Sequence, residues 1–221
     1  MFEKLKRALR PTDSVDEGGD GLARWAVNHM LSHHRLASGG TVAEGVLLDR
    51  PFQTGCAPSS RFYIVGNELM AKAGLGLRED VNIVVMRRTL KRALEQAAID
   101  AYENSVNHVR TTDKPLPEEL VWLSLYRDAG WPGPEAGFWA RFSVLTDNVV
   151  AARDWLDEDA VQSLCEAPVE LRSDIPFLVA LTRGKVYLRM QLEGTDDGLV
   201  SHHALDIMEQ LSARALRLFG R

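Results

Sequence analysis

Residues 177–192, FLVALTRGKVYLRMQL, contain the clearest structural pattern in this chain. The run Phe177 to Leu181 is apolar on both faces, whereas apolar and polar residues alternate strictly from Lys185 to Leu192. Arg183 and Gly184 lie between the two runs, and a two-residue connection suits a β-hairpin. An alternating strand has one buried and one wet face. The pattern therefore predicts an antiparallel hairpin whose first strand is covered on both sides.

The rest of the chain places helices and further strands around this hairpin. Directly after it, glycine-containing residues 194–198 turn the chain into a helix that we predict from Leu199 to Phe219. Upstream, periodicity predicts helices at 22–37, 67–73, 87–106, 118–128 and within 149–166, and strands at 42–48, 61–65, 81–86 and 140–145. The mixed order, without repeating βαβ units, predicts an α+β fold. We expect a mostly antiparallel sheet with amphipathic helices packed on it, and a C-terminal β-hairpin followed by a long helix.

One folded domain is predicted, preceded by an arm. Residues 1–21 combine a basic start, MFEKLKRALR, with a flexible acidic linker that contains three glycines and cannot bury a core. Residues 22–221 then form a single globular α+β domain. The segment 111–117, TTDKPLP, is its best internal break, and it fits a domain boundary or a loop within one domain equally well.

The element order resembles that of a known family when residues 111–170 are treated as an insertion. What remains is a helix, three strands, a helix, two strands and a helix. This order resembles the bacterial type III secretion chaperones. The likeness lies in element order alone, with no shared motif, so it is an analogy.

Composition excludes several classes of protein. The chain has 221 residues, 45% of them apolar and 26% charged, with a formal net charge of -5. This balance is typical of a soluble globular protein and excludes a generally basic nucleic-acid binder. The two cysteines, Cys56 and Cys165, lie far apart, and no secretory leader is recognisable at residues 1–11. We therefore predict a cytoplasmic protein.

Residues 1–10 are a candidate for contact with a membrane surface. Phe2, Leu5 and Leu9 share one helical face among basic residues, and such a segment can lie on an anionic membrane. A helix of three turns or fewer is nevertheless marginal alone in water. A leading helix without membrane contact is the favoured interpretation.

Histidines supply the weak candidates for a metal site. His29 and His33 stand four residues apart on the helix predicted at 22–37, which is the spacing that presents two imidazoles to one metal ion. Met30 stands where an HExxH motif has glutamate, and no third ligand is identifiable. Two hydrogen-bonded histidines at the edge of the core are favoured, and no metal or cofactor is predicted. His202 and His203 are interpreted as facing solvent.

No catalytic set is recognisable in the sequence. Cys56 lies in GCAPSS, residues 55–60, but no neighbouring base can be assigned that would activate its thiol. That segment is interpreted as a turn before a strand. Gly74 and Gly76 form a GxG after a predicted helix rather than a strand, so Gly74 is interpreted as the residue that ends the helix.

Two features point to binding instead. Arg87, Arg88, Lys91 and Arg92 place four cations at the start of a predicted helix, where the helix dipole is unfavourable for cations and invites an anionic partner. A second feature is the proline-braced aromatic segment that contains Trp131, Phe138 and Trp139. Exposed tryptophans on a stiff loop are typical interface anchors, whereas buried ones fill a satellite core.

These observations favour a non-catalytic cytoplasmic protein–protein interaction module, an adaptor or a chaperone-like protein, with an unidentified protein partner. The alternative is an enzyme of unknown class whose site is assembled around His29 and His33 or around Cys56. Absence of a motif weakens that alternative only a little, because many sites form only in the fold.

Overall fold

The computed structural model describes residues 21–37, 39–108, 117–134, 136–166, 168, 174–192 and 198–220, with the backbone alone at 104–108. The predicted arm, apart from Gly21, and the predicted break at 111–117, apart from Pro117, lie outside the described residues. The same holds for residues 1–10, the candidate for contact with a membrane surface.

Seven helices and nine strands make up the described part of the chain. The helices are α1 (Gly21–Asn28), α2 (Arg88–His108), α3 (Glu118–Leu125), α4 (Ala136–Arg141), α5 (Val149–Trp155), α6 (Glu158–Cys165) and α7 (Leu199–Phe219). The strands are β1 (Ser32–Arg35), β2 (Thr41–Leu47), β3 (Arg50–Pro58), β4 (Asn67–Gly74), β5 (Ile83–Arg87), β6 (Arg127–Ala129), β7 (Phe142–Thr146), β8 (Phe177–Thr182) and β9 (Lys185–Leu192).

All nine strands join one antiparallel sheet in the order β1-β2-β3-β4-β9-β8-β5-β7-β6. The predicted α+β class, the terminal hairpin and the helix α7 are confirmed. Thr182 pairs with Lys185 across the hairpin, and Arg183 and Gly184 between them have φ of 51° and 68°. A two-residue turn of this hand needs positive φ at both positions. Gly184 is also required sterically, since a Cβ there would lie 2.6 Å from the carbonyl oxygen of Leu77.

Two cores lie on opposite faces of the sheet. On the first face, Val186, Leu188 and Met190 belong to a cluster that includes residues of α1, α5, α6 and α7. On the second face, a smaller cluster joins β5, β7 and β8 to Leu90 and Leu94 of α2 and to residues of α3 and the turn at 61–65. Strand β8 contributes to both clusters and is buried throughout, as its doubly apolar sequence predicts.

The prediction of a helix at 67–73 and a strand at 61–65 is wrong. Residues 67–74 form β4, which pairs with β3 on one side and β9 on the other. Leu69, Ala71 and Ala73 point to the first core, so the buried residues follow a period of two. Helix-forming residues such as alanine and methionine adopt strand here because pairing on both sides outweighs a weak local propensity.

The predicted helix 22–37 ends early. Helix α1 stops at Asn28, and Met30 has a left-handed φ of 55°. The N–H of Met30 donates to the carbonyl of Val27, and the N–H of Leu31 donates to that of Ala26. This pair of bonds is a Schellman motif, which closes a helix. The chain then reverses into β1, a strand that the periodicity did not predict.

Candidate functional site

A groove opens between the loop at 131–134 and helices α5 and α6. Its volume is about 610 Å³, and its lining comprises Trp131, Pro132, Gly133, Pro134, Arg153, Leu156, Asp157, Glu158, Val161, Gln162, Cys165 and Glu166. We call it the Trp131 groove. Its volume falls within the roughly 300–1,000 Å³ typical of ligand pockets.

Local capping fixes the corner between α5 and α6. The Asn148 side chain accepts from the N–H of Ala151 at 3.1 Å, and that of Asp157 accepts from the N–H of Ala160 at 3.0 Å. Such caps each stabilise a helix start by about 1 kcal/mol. The side chain of Arg214, from α7, bonds to the Asp157 carboxylate and to the carbonyl of Asp154. One wall of the groove is therefore fixed by hydrogen bonds to its own caps and to α7.

The three predicted aromatic residues lie close together but differ in burial. Phe138 is fully buried and stacks on Phe142, with ring centroids 5.3 Å apart. Trp131 and Trp139 are partly buried, with rings 5.0 Å apart and perpendicular. Phe138 is therefore a core residue, whereas Trp131 combines core packing with a place in the groove lining. An interaction role for Trp131, Phe138 or Trp139 stays a prediction.

The groove combines apolar walls with an acidic rim. Leu156 and Val161 are buried and lie beside the partly buried Trp131. The side chains of Glu158 and Glu166 are exposed along the α6 side. Such a surface can accept an apolar side chain at its centre and favours cations at its edge.

The four predicted cations do not form one surface. Arg87 ends β5 and is only 2% exposed, with its guanidinium 4.5 Å above the ring of Phe142. Burial, reinforced by the guanidinium of Arg141, lowers the pKa of Arg87 to about 10. Because Arg87 belongs to β5, the helix begins at Arg88 rather than at Arg87.

The other three cations differ in the contacts that they make. The Nε of Arg88 donates to the carbonyl of Trp139. The Lys91 ammonium lies 2.7 Å from a Glu95 oxygen and 3.2 Å from an Asp128 oxygen. Arg92 is exposed. Binding of an anionic partner by these cations stays a prediction, but internal partners already engage Arg88 and Lys91.

A cluster around His29 joins the end of α1 to α7. The Nδ1 of His29 lies 2.8 Å from the carbonyl oxygen of Trp25, and its Nε2 lies 3.2 Å from Oε2 of Glu209. The imidazole also stacks on the Trp25 ring at 3.8 Å. The Trp25 indole Nε1 donates to Oδ1 of Asp206 at 2.8 Å. One ligand-type atom each from His29, Asp206 and Glu209 lie within 4.8 Å of one another.

Other sequence candidates lie elsewhere. His33 is an exposed residue of β1, so the helical spacing predicted for His29 and His33 is wrong, because the helix ends before His33. Cys56 is part of β3 and packs half-buried against the first core, which corrects the turn predicted there. Gly74 ends a strand rather than a helix.

The interpretation that His202 and His203 face solvent is wrong. The Nε2 of His202 lies 2.6 Å from the carbonyl oxygen of Gly21, and that of His203 lies 3.2 Å from the carbonyl oxygen of Ser163. Both side chains are partly buried. They connect the first turn of α7 to α1 and to α6.

A buried charge cluster lies on the second face of the sheet, and no sequence pattern predicted it. We define it as Arg61, Glu68, Glu119 and Arg189. Arg61 binds Glu119 at 2.7 Å and Glu68 at 3.2 Å, and Arg189 lies 3.3 Å from Glu68 and 3.4 Å from Glu119. The two positive and two negative formal charges cancel. The cluster therefore forms buried ion pairs and does not create a charged surface.

Neutral hydroxyl groups complete the cluster. The hydroxyl of Tyr63 donates to Glu119 at 2.9 Å, and that of Ser59 donates to Glu68 at 2.8 Å. Burial, together with the Glu119 carboxylate, raises the pKa of Tyr63 far above its ordinary value. The phenol therefore keeps its proton at neutral pH and acts as a hydrogen-bond donor.

Comparisons with known proteins add little on function. None of the helices among the described residues combines the length and apolarity that crossing a membrane requires. No family model matches the chain, and no curated protein matches it. Among solved structures, the chain is similar to the mycobacterial trehalose monomycolate transport factor A, TtfA, with a TM-score of 0.47 and 11% identity over 87% of this chain and 90% of that one. At that TM-score and identity, the similarity supports no statement about function.

Proposed function

We propose that the protein is a non-catalytic interaction module, an adaptor or chaperone-like protein, and that the Trp131 groove holds a segment of its protein partner. The observation that carries this proposal is the pairing of an apolar groove with an acidic rim on a rigid wall. The expected segment places an apolar side chain in the groove and lysine or arginine beside it.

The chemistry of the walls supports an apolar anchor. Trp131 presents a large amphipathic ring beside Leu156 and Val161, and tryptophan is enriched among the residues that dominate binding energy at protein interfaces. Pro132 and Pro134 restrict the backbone on either side of Gly133. A stiff loop loses little conformational entropy on binding, which favours affinity.

The charge of the rim supports a basic flank. Glu158 and Glu166 are exposed, whereas the carboxylate of Asp157 is already bound by Arg214. The exposed side chain of Arg153 also lines the groove and offsets one of these charges, which leaves the rim with a net negative charge. Rim charges act mainly on the association rate and on the choice of partner. The acidic rim therefore favours cationic segments over anionic ones.

The test uses synthetic ten-residue peptides with one central leucine or phenylalanine, flanked by lysine and arginine in one set and by glutamate in the other. Fluorescence anisotropy should give at least a tenfold preference for the basic set. Trp131→Ala should weaken binding at least tenfold. The double change Glu158→Lys and Glu166→Lys should reverse the charge preference.

Matched controls separate the groove from general surface effects. Tyr102→Ala removes an aromatic side chain that is 70% exposed on α2, and Glu44→Lys reverses an exposed charge on β2. Both should leave peptide binding unchanged. Failure of the wild-type protein to bind either set, or equal effects of the groove and control variants, would overturn the proposal.

A further inference from the structure

We propose that His29, Asp206 and Glu209 bind one divalent metal ion of the zinc type, which fastens the end of α1 to the middle of α7. This site is separate from the Trp131 groove and does not depend on the proposed function. It rests on the hydrogen bonding of His29, on the spacing of the ligand atoms and on the role of Trp25.

The contacts of His29 place one ring nitrogen opposite a backbone carbonyl and the other opposite a carboxylate. A carbonyl oxygen only accepts, so the 2.8 Å contact with Trp25 requires that Nδ1 carry the proton. In the neutral imidazole, Nε2 then presents a lone pair toward the Glu209 carboxylate at 3.2 Å, which also only accepts. A ring nitrogen and a carboxylate oxygen, two common zinc ligands, therefore face each other at this point.

The spacing of the two atoms fits a shared metal ion. Zinc binds imidazole nitrogen and carboxylate oxygen at about 2.0–2.2 Å, and at a tetrahedral angle this places two ligand atoms about 3.3 Å apart. The observed separation of Nε2 and Oε2 is 3.2 Å. Asp206 stands three residues before Glu209 on α7, and its carboxylate lies within 4.8 Å of the other two ligand atoms.

Trp25 orients two of the three ligands in the manner of a metal site. Its carbonyl holds Nδ1 of His29, and its indole N–H donates to Oδ1 of Asp206. Histidine ligands of metals almost always donate their other ring N–H to a carbonyl or carboxylate, and such contacts fix the ring and its tautomer. Trp25 itself is 2% exposed, so these contacts are built on the core.

The electrostatic surroundings of the three side chains favour a bound cation, and solvent can reach the site. The C-terminal end of α1 carries a partial negative charge from the helix dipole, and two carboxylates face it. The side chains of His29 and Glu209 are 24% and 31% exposed, which leaves room for water to complete the coordination. Imidazole with two carboxylates suits Zn²⁺ or Co²⁺ better than Mg²⁺ or Ca²⁺, which take oxygen ligands.

Calorimetric titration of the full chain, stripped of metal with a chelator, tests the site with Zn²⁺ and Co²⁺ alone. We expect one ion per chain, and a visible Co²⁺ absorption band of a nitrogen- and oxygen-ligated site. Zn²⁺ at 100 times its Kd should raise Tm by about 5–10 °C. His29→Gln and Glu209→Gln should each weaken binding at least tenfold.

Controls distinguish the site from nonspecific binding by histidine or carboxylate. His33→Gln changes an exposed histidine of β1 and Glu158→Gln changes an exposed carboxylate of α6, and both should bind Zn²⁺ as the wild type does. Trp25→Phe, which removes only the indole donor, should weaken binding about 10-fold or more. No stoichiometric binding, or equal binding by His29→Gln, would overturn the proposal and leave only the direct contact between His29 and Glu209.

Discussion

The carboxylate of Glu119 provides a demanding test of the structure. It is 0% exposed, and it accepts hydrogen bonds from Arg61 at 2.7 Å and from the Tyr63 hydroxyl at 2.9 Å. Arg189 lies 3.4 Å away. Glu119→Ala would leave two guanidinium groups, each under a tenth exposed, with Glu68 as the one remaining carboxylate of the cluster.

The expected cost follows from that imbalance. Removing one partner of a buried ion pair costs about 3–5 kcal/mol, because the remaining charge stays buried and uncompensated. For a protein of this length, that corresponds to a fall in Tm of about 6–20 °C. It is a large share of a total stability of about 5–15 kcal/mol.

The neighbouring residue offers a matched control. Glu118 is 34% exposed and lies 3.8 Å from Arg183, which is 69% exposed. An exposed pair of this kind contributes about 0–1 kcal/mol. Glu118→Ala changes the same residue type on the same helix turn, so the difference between the two variants isolates burial and pairing.

Urea denaturation at neutral pH, followed by far-ultraviolet circular dichroism, measures both variants. The free energy of unfolding should fall by at least 3 kcal/mol for Glu119→Ala, as derived above, with an unchanged dependence on urea. The double variant Arg61→Met, Glu119→Leu should recover most of the loss, because apolar residues of similar volume often replace a buried pair without cost. A loss within about 1 kcal/mol of that of Glu118→Ala would refute the reasoning.

Three further predictions address other parts of the molecule. Burial raises the pKa of Glu68 above its ordinary 4.5, so the folded state binds that proton more tightly than the unfolded state does. The stability of the wild type relative to Glu68→Gln should therefore fall as pH rises above 4.5. Urea midpoints of both proteins, measured over about pH 4–7, would contradict this if the wild type did not lose stability relative to the variant. Met30 is 94% exposed and has a left-handed φ of 55°. Met30→Gly should raise or preserve Tm, because relief of about 1–2 kcal/mol of backbone strain offsets a cost of about 0.5–1 kcal/mol in backbone entropy. A clear fall in Tm would argue against the left-handed helix end. Phe138→Ala should lower the free energy of unfolding, measured by urea denaturation, by about 3–5 kcal/mol, because Phe138 is fully buried. Trp131→Ala should lower it clearly less, because Trp131 lines the groove. Equal losses of stability would make Trp131 a core residue.

Local pattern was sufficient to predict the C-terminal hairpin and the helix that follows it. Strands β8 and β9 and helix α7 have the predicted bounds, because each has an unambiguous period and the hairpin turn is set by two adjacent residues. Residues 67–74 lack that property, since alternating alanines and methionine fit a helix as well as a strand. Their state is decided by pairing with β3 and β9, which no local window contains.

The functional clusters escaped prediction for a related reason. Arg61 and Glu119 are separated by 58 positions, Glu68 and Arg189 by 121, and His29 and Glu209 by 180. His29 was singled out as a weak metal candidate but with the wrong partner, His33, whereas each of the other residues is an ordinary surface charge when its own neighbours alone are considered. The signal that could have found the His29 cluster was the pair Asp206 and Glu209, one turn apart on a helix whose apolar stripe was already predicted.

Helix α7 connects the two proposed sites. Asp206 and Glu209 face α1, whereas the carbonyl of Leu211 accepts from the buried Trp155 indole at 2.9 Å and Arg214 binds the start of α6. One continuous helix of 21 residues therefore carries two of the three proposed metal ligands and supports the wall of the Trp131 groove. Because α7 is packed against the sheet along its buried side, we expect that a metal at His29 would restrain α1 without deforming the groove. If the two sites are nevertheless coupled, the coupling must be reciprocal: a peptide in the groove changes metal affinity by the same factor by which the metal changes peptide affinity.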